Sequence, residues 1–217
     1  MIRFQNVSKH FKTQSHKKVI LDRVSLEFER GYSYGILGVN GAGKSTTMRM
    51  IAGTILPNSG HISKNVRVSW PLGFAGGFNS AMTGKENLNF VARAYGENPE
   101  RVSRFVEEFA ELGDYINAPV RTYSSGMAAR LAFGLSMAIE FECYLVDEVT
   151  AVGDARFQKR CKEAFDSRRR NSDIIMISHG METIKAYCEK AFLLVDGRMM
   201  YYDDVELGIE AYYRLNR

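Results

Sequence analysis

Tyr34-Gly35-Ile36-Leu37-Gly38-Val39-Asn40-Gly41-Ala42-Gly43-Lys44-Ser45-Thr46 is the stretch whose reading decides the fold. Its first four residues are an apolar strand, and Thr47 to Ala52 is a helix-compatible run stopped by Gly53. Strand, glycine-rich loop and helix are the setting in which G-x-x-x-x-G-K-[ST] holds phosphate. Gly38, Gly41 and Gly43 let the backbone turn tightly and approach phosphate oxygens with no Cβ in the way. Successive N–H groups along Asn40, Gly41, Ala42 and Gly43 then form an anion-binding nest at the positive end of the helix. Lys44 supplies a point charge for β- and γ-phosphates, Ser45 offers a hydroxyl to Mg2+, and Thr46 completes the loop. A chance Lys-Ser after a glycine turn would not carry both flanks. The stretch predicts a nucleoside triphosphate site that uses Mg2+.

Upstream, residues 2–11 alternate loosely (Ile2, Phe4, Val7), and Val24, Leu26 and Phe28 alternate with Ser25, Glu27 and Glu29. Both read as strands with one wet face. Downstream, Pro57-Asn58-Ser59-Gly60 is a turn, with short strands at Ile62 and Val66-Arg67-Val68. Residues 72–79 form a loop rich in glycine and aromatics. The pattern then turns helical over about 79–140. Thr83-Gly84-Lys85-Glu86 has capping-box spacing ahead of Leu88, Val91, Ala92 and Tyr95, with Gly96 as a stop. Asn98-Pro99 opens a second helix that Gly113 ends, and a third starts near Ser124-Ser125-Gly126. From Cys143 the α/β alternation resumes: a strand to Asp147, a helix from Asp154 to Arg169, a strand Ile174–Ile177 ending at Ser178-His179, and a helix at about 181–189. A hairpin around Asp196-Gly197 and a last helix at about 205–215 follow. Apolar strands alternating with helices predict a parallel sheet covered on both faces, whose ligands bind at the strands' carboxyl ends. The phosphate loop, Asp147-Glu148 and His179 sit at three such ends.

The 217 residues are 45% hydrophobic and 25% charged, enough for one large domain with a sizeable core. A net charge of +4 is mildly basic and selects neither nucleic acid nor membrane as partner. The three cysteines, Cys143, Cys161 and Cys188, have no metal-binding spacing and read as reduced thiols of a cytosolic protein. No signal peptide opens the chain, and no apolar run approaches the roughly 20 residues that span a bilayer. A membrane role would therefore come through a partner.

Asp147 and Glu148 follow four apolar residues, and where a strand ends the turning chain lets both carboxylates face one site. Asp147 is the candidate second oxygen ligand for Mg2+, and Glu148 the group that orients or deprotonates the attacking water. Without the phosphate loop, the pair would read as two solvated acids. His179 fits a γ-phosphate or water contact and an exposed turn histidine equally well. Tyr123-Ser124-Ser125-Gly126-Met127 is by default an ordinary helix N-cap, with a second phosphate site as the other reading, because helix N-termini bind anions.

In that order, these motifs resemble the nucleotide-binding domain of ABC ATPases over essentially the whole chain, residues 1–217. The resemblance implies an α/β P-loop NTPase fold of ABC type with a mainly parallel sheet, an antiparallel β subdomain and an inserted helical subdomain. It implies that Ser124, Ser125, Gly126 and Met127 form the signature that closes over the other subunit's ATP. Asp154 would lie in the D-loop, His179 would be the switch histidine, and Phe11 the aromatic that stacks on adenine. The family works as a head-to-tail pair, most simply a homodimer here. At finer grain, Ser69–Phe78, Thr83–Asn87, the signature and Asp147–Asp154 resemble ATP-binding subunits of Gram-negative capsular polysaccharide exporters. Their relatives export O-antigen and teichoic acids. That implies ATP and Mg2+ as cofactors, an integral membrane permease as partner, a lipid-linked polysaccharide as indirect partner, and a place at the cytoplasmic face of the inner membrane. The first alternative is an exporter of another cell-surface polysaccharide, O-antigen or teichoic acid. A less favoured one is a soluble nucleic-acid-acting ABC ATPase, whose support is the basic balance of charge and the triplet Arg168-Arg169-Arg170, which reads more simply as a solvated helix end. Against the family pattern, Ser125 and Met127 stand where glycine and glutamine are usual, and Val149 where proline is common. Residues 60–120 contain no glutamine, so Gly73 occupies the place of the usual Mg2+-sensing glutamine.

Overall fold

A computed structural model describes residues 1–12, 17–72, 75–147 and 153–216. The chain divides into two compact units. The first comprises Met1–Pro71, Phe141–Val149 and Asn171–Arg217, and the second Leu72–Glu140 and Thr150–Arg170.

The first unit holds two sheets. Strand β1 (Ile2–Lys12) pairs antiparallel with β2 (Lys17–Phe28) and with β4 (Ser59–Lys64). At the start of β1 alternate residues point inward, so Ile2 and Phe4 are buried while Arg3 and Gln5 face solvent, and a register shift after Phe4 brings Val7 inward next. The second sheet has the order β5-β6-β7-β3-β8-β9, from β5 (Val68–Pro71), β6 (Cys143–Asp147), β7 (Asp173–Ile177), β3 (Tyr34–Leu37), β8 (Lys190–Val195) and β9 (Arg198–Tyr202). All neighbours are parallel except β8 and β9. That hairpin turns on Asp196 (φ 46°) and Gly197 (φ 77°), two left-handed residues whose twist matches the strands they join. The central strands are apolar apart from one terminal aspartate each in β6 (Asp147) and β7 (Asp173), as a sheet covered on both faces requires. Phe28, Tyr34 and Phe192 meet at centroid distances of 4.9 to 5.6 Å and join this sheet to β2. Helices α1 (Lys44–Ala52), α6 (Met181–Tyr187) and α7 (Val205–Leu215) complete the unit.

The second unit is helical: α2 (Gly84–Ala94), α3 (Pro99–Ala110), α4 (Ser125–Ala138) and α5 (Ala155–Arg169), with 3-10 turns between. Helix α2 starts on the reciprocal bonds that its sequence predicts: the Glu86 amide donates to Thr83 Oγ1 (3.1 Å) and the Thr83 amide to Glu86 Oε2 (2.8 Å). Phe105, Phe109 and Phe133 stack in a row and Phe157 closes it edge-on, giving the helices a common aromatic core. Helix α3 does not run to Gly113. It ends at Ala110, because Glu111 takes the left-handed conformation (φ 52°) and turns its carboxylate toward Arg160 (2.9 Å), Arg156 (3.1 Å) and Arg130 (3.8 Å). Arg160 also donates to the last carbonyls of the helix, of Glu108 and Phe109.

Candidate functional site

The register of the parallel strands brings the chemistry together. Asp147, at the end of β6, is level with Ile177 at the end of β7, and Leu37 at the end of β3 is level with Leu193. The carboxyl ends therefore open on one side. There a cleft of about 570 Å³ is lined by the loop residues Asn40, Gly41, Gly43, Lys44, Ser45 and Thr46. Asp147, Ile177 and His179 close it from the sheet, and Phe11, Lys18 and Ile20 from the β1–β2 hairpin.

The loop geometry follows from its glycines at two points. Gly43 (φ 114°) is the N-cap of α1 and has no side chain to occupy the helix's first amides. A Cβ there would stand 2.5 Å from Ile20 Cγ2, so the loop and β2 touch only because the residue is glycine. At Gly38 a Cβ would stand 2.7 Å from the Leu194 carbonyl oxygen, which fixes how the loop leaves β3. Lys44 is buried, and its ammonium donates to the carbonyls of Gly38 (2.7 Å) and Val39 (3.1 Å). The loop is thus arched over its own lysine.

Ser45 Oγ donates to Asp147 Oδ1 at 3.3 Å across 102 positions of sequence. A hydroxyl and a carboxylate that converge in this way are the hard oxygen donors that Mg2+ takes when substrate phosphates complete its shell. No cluster of three or more His, Cys, Asp or Glu side chains suited to a metal occurs among the described residues. Phe11 is 44% exposed, and Lys9 lies 5.1 Å over its ring.

The remaining expected residues belong to the second unit. Ser124 is the N-cap of α4, and its Oγ accepts from the Met127 amide at 3.2 Å. Ser124, Ser125 and Gly126 are exposed, and a Cβ on Gly126 would meet nothing closer than 3.9 Å. Asp154 caps α5: the Phe157 amide donates to its Oδ1 (2.9 Å) and Arg130 reaches its Oδ2 (3.2 Å). The amide bond, then Arg130, hold its carboxyl below the usual range. Glu148, Gly73 and Val149 lie outside the described residues. Lys18 and Ile20 are lining residues that motif reading passed over. The signal for Lys18 was available in the pairing of β1 with β2, which sets it opposite Phe11.

The family model described as "ABC transporter" matches residues 21–151. The chain belongs to the ATP-binding ABC transporter family. As a member it binds ATP and is an ATPase. It is 46% identical over 212 residues to the ATP-binding protein BexA of Haemophilus influenzae, covering 98% of both chains. It is 46% identical over 215 residues to the polysialic acid transport ATP-binding protein KpsT of Escherichia coli, again covering 98% of both. It is 45% identical to the capsule polysaccharide export ATP-binding protein CtrD of Neisseria meningitidis serogroup B, covering 99% of this chain and 100% of that one. Among solved structures, an ATP-binding cassette dimer in a post-hydrolysis state with ADP and Pi matches with a TM-score of 0.75. It is 18% identical, with 94% of this chain and 99% of that one covered. At that identity the likeness shows the fold alone: the P-loop NTPase cassette that the motif order predicts. No described helix is long and apolar enough to cross a membrane.

Proposed function

We propose that this chain is the ATP-hydrolysing subunit of a capsular polysaccharide exporter, acting as a homodimer on an integral membrane permease at the cytoplasmic face of the inner membrane. The observation that carries the reading is the 45–46% identity, along 98–99% of the chain, to BexA, KpsT and CtrD, of which KpsT is named for polysialic acid transport and CtrD for capsule polysaccharide export. O-antigen and teichoic acid export proteins stand at 34–35%, over smaller shares of their own length.

Phe11 stacks on adenine, and the amides of Asn40 to Thr46 take the phosphates. Lys44 exchanges carbonyl partners for β- and γ-phosphate oxygens, a stronger, charge-assisted bond. Ser45 and Asp147 hold Mg2+, which when bound neutralises charge on the phosphoryl oxygens. Glu148, one residue past the end of β6, orients and deprotonates the water. As that water attacks the γ-phosphorus, the bond to the β–γ bridging oxygen breaks, and ADP and inorganic phosphate leave. His179 steadies the γ-phosphate or the water from the end of β7. Ser124, Ser125, Gly126 and Met127 face the ATP of the other subunit, and Asp154 lies in the D-loop beside them. Closure of the dimer on ATP and opening after hydrolysis drive the permease, which moves a lipid-linked polysaccharide; no nucleic acid takes part.

The test is Glu148→Gln in the chain co-purified with its permease. It is expected to trap ATP-bound dimers and abolish export, while the unsubstituted complex shows ATPase activity that lipid-linked polysaccharide stimulates. Undiminished turnover in Glu148→Gln would remove this residue from the base role. Stimulation by DNA or RNA in place of the permease and its lipid would sink the transport reading.

A further inference from the structure

The β1–β2 hairpin carries a cation that none of the motifs accounts for. Phe11 and Lys18 are direct cross-strand partners, and residues paired in this way share one face of the ribbon. That face lines the nucleotide cleft. The ribbon's other lysines are placed differently. Lys12 and Lys17 pair with each other one position along, which turns them to the opposite face. Lys9 donates to the Leu56 carbonyl at 2.7 Å and lies over the Phe11 ring. Lys18 alone among them lines the cleft, and it makes no hydrogen bond or ion pair among the described residues.

Its ammonium lies over the phosphate loop. A Cβ on Gly41 would stand 3.5 Å from Lys18 Nζ, so the charge sits against the loop's mid-point, where glycine leaves the backbone bare. Lys44, by contrast, reaches the loop from the helix side and is held by Gly38 and Val39. The cleft therefore has two cations. One is buried beside Ser45 and Asp147, and the other is exposed and fixed by strand pairing next to Phe11.

We propose that Lys18 is a second phosphate-binding cation of the nucleotide site, contacting the phosphate nearest the adenosine. This rests on the assignment of Phe11 and the phosphate loop to ATP. A base stacked on Phe11, with the terminal phosphates at Lys44 and Ser45, puts the intervening phosphate between the hairpin and Gly41. Lys18 stands there. Because it is exposed, its contribution is modest and screened by salt.

Binding of ATP, ADP and adenosine to the full chain with Mg2+, at about 50 and 300 mM salt, tests this. Lys18→Met keeps the length of the stem and removes the charge. It is expected to weaken ATP and ADP alike by roughly 3- to 5-fold at low salt, and less at high salt. Adenosine is expected to bind as before. Lys18→Arg should restore ATP to within about 2-fold, since it keeps a phosphate-binding cation. Melting temperatures report whether the variants fold. Unchanged ATP and ADP binding in Lys18→Met would overturn the proposal, as would an equal loss for adenosine, which would mean the stem packs on the base. Failure of the underlying site assignment reads differently: Lys44→Ala would then bind ATP as tightly as the unsubstituted chain.

Discussion

Replacing Gly43 by alanine tests the geometry of the phosphate loop with the addition of one methyl group. Two costs follow from the coordinates. The residue holds φ 114° and ψ 11°, a region L-residues avoid, so the backbone term is roughly 1–3 kcal/mol. The new Cβ would also stand 2.5 Å from Ile20 Cγ2 and 3.3 Å from its Cδ1. Ile20 is buried and would have to repack, which adds an overpacking cost of about 1–3 kcal/mol. The total, about 2–6 kcal/mol, is a large part of the roughly 5–15 kcal/mol that stabilises a typical domain. The steric half is separable. Ile20→Ala alone should cost about 2–5 kcal/mol through the cavity it leaves. Combined with Gly43→Ala it should cost less than the sum, by about 1–2 kcal/mol. Urea unfolding of the four proteins gives the cycle, and ATP binding shows whether the loop amides have moved. A Gly43→Ala protein within about 0.5 kcal/mol of the original, or a strictly additive double variant, would refute the reasoning.

At Glu111 two effects oppose each other. Glu111→Gly relieves the left-handed backbone by about 1 kcal/mol and gives up ion pairs worth about the same at an exposed site, so stability should be nearly unchanged. Glu111→Ala loses the pairs without relief and should fall about 1 kcal/mol lower; equal urea midpoints for the two would mean that φ is not strained. Burial pushes the Cys143 and Cys161 thiols up to about 12, and Cys188 is buried as well. At pH 8 only about 10⁻⁴ of the Cys143 and Cys161 thiols are therefore ionised, and alkylation of the folded chain should be slow until urea exposes all three. Rapid modification at pH 8 without urea would contradict that burial.

The strand–loop–helix around Lys44 was legible because each residue type answers a local need, and so were the capping box at Thr83 and the Asp196-Gly197 turn. The meeting of Ser45 with Asp147 was inferable only as two strand ends, since the register that brings them together is a long-range property of the sheet. The end of α3 was misplaced at Gly113 for a similar reason. Glycine is the usual left-handed stop, but here arginines from α4 and α5 hold Glu111 in that conformation, and nothing adjacent to it in sequence announces them. Lys18 was overlooked because a lone exposed lysine has no motif. Its place opposite Phe11 depends on a ribbon whose pairing shifts between Val7 and His10, so counting residues does not give it.

The hydroxyl of Ser124 has one proton and two lone pairs, and the cap on α4 uses only oxygen. The cap does not engage that proton, and the amides at the helix start are donors as well. The face that Ser124 to Gly126 turns to solvent is therefore a proton-rich patch built without a cationic side chain. On the proposed assignment of Ser124 to Gly126 to the other subunit's ATP, such a patch would select its ligand by sign, through contacts to phosphoryl oxygens, and would have no means of telling adenine from guanine. On the proposed assignment of Phe11 to adenine, an exchange of nucleotide preference is to be engineered around Phe11 and not at this helix.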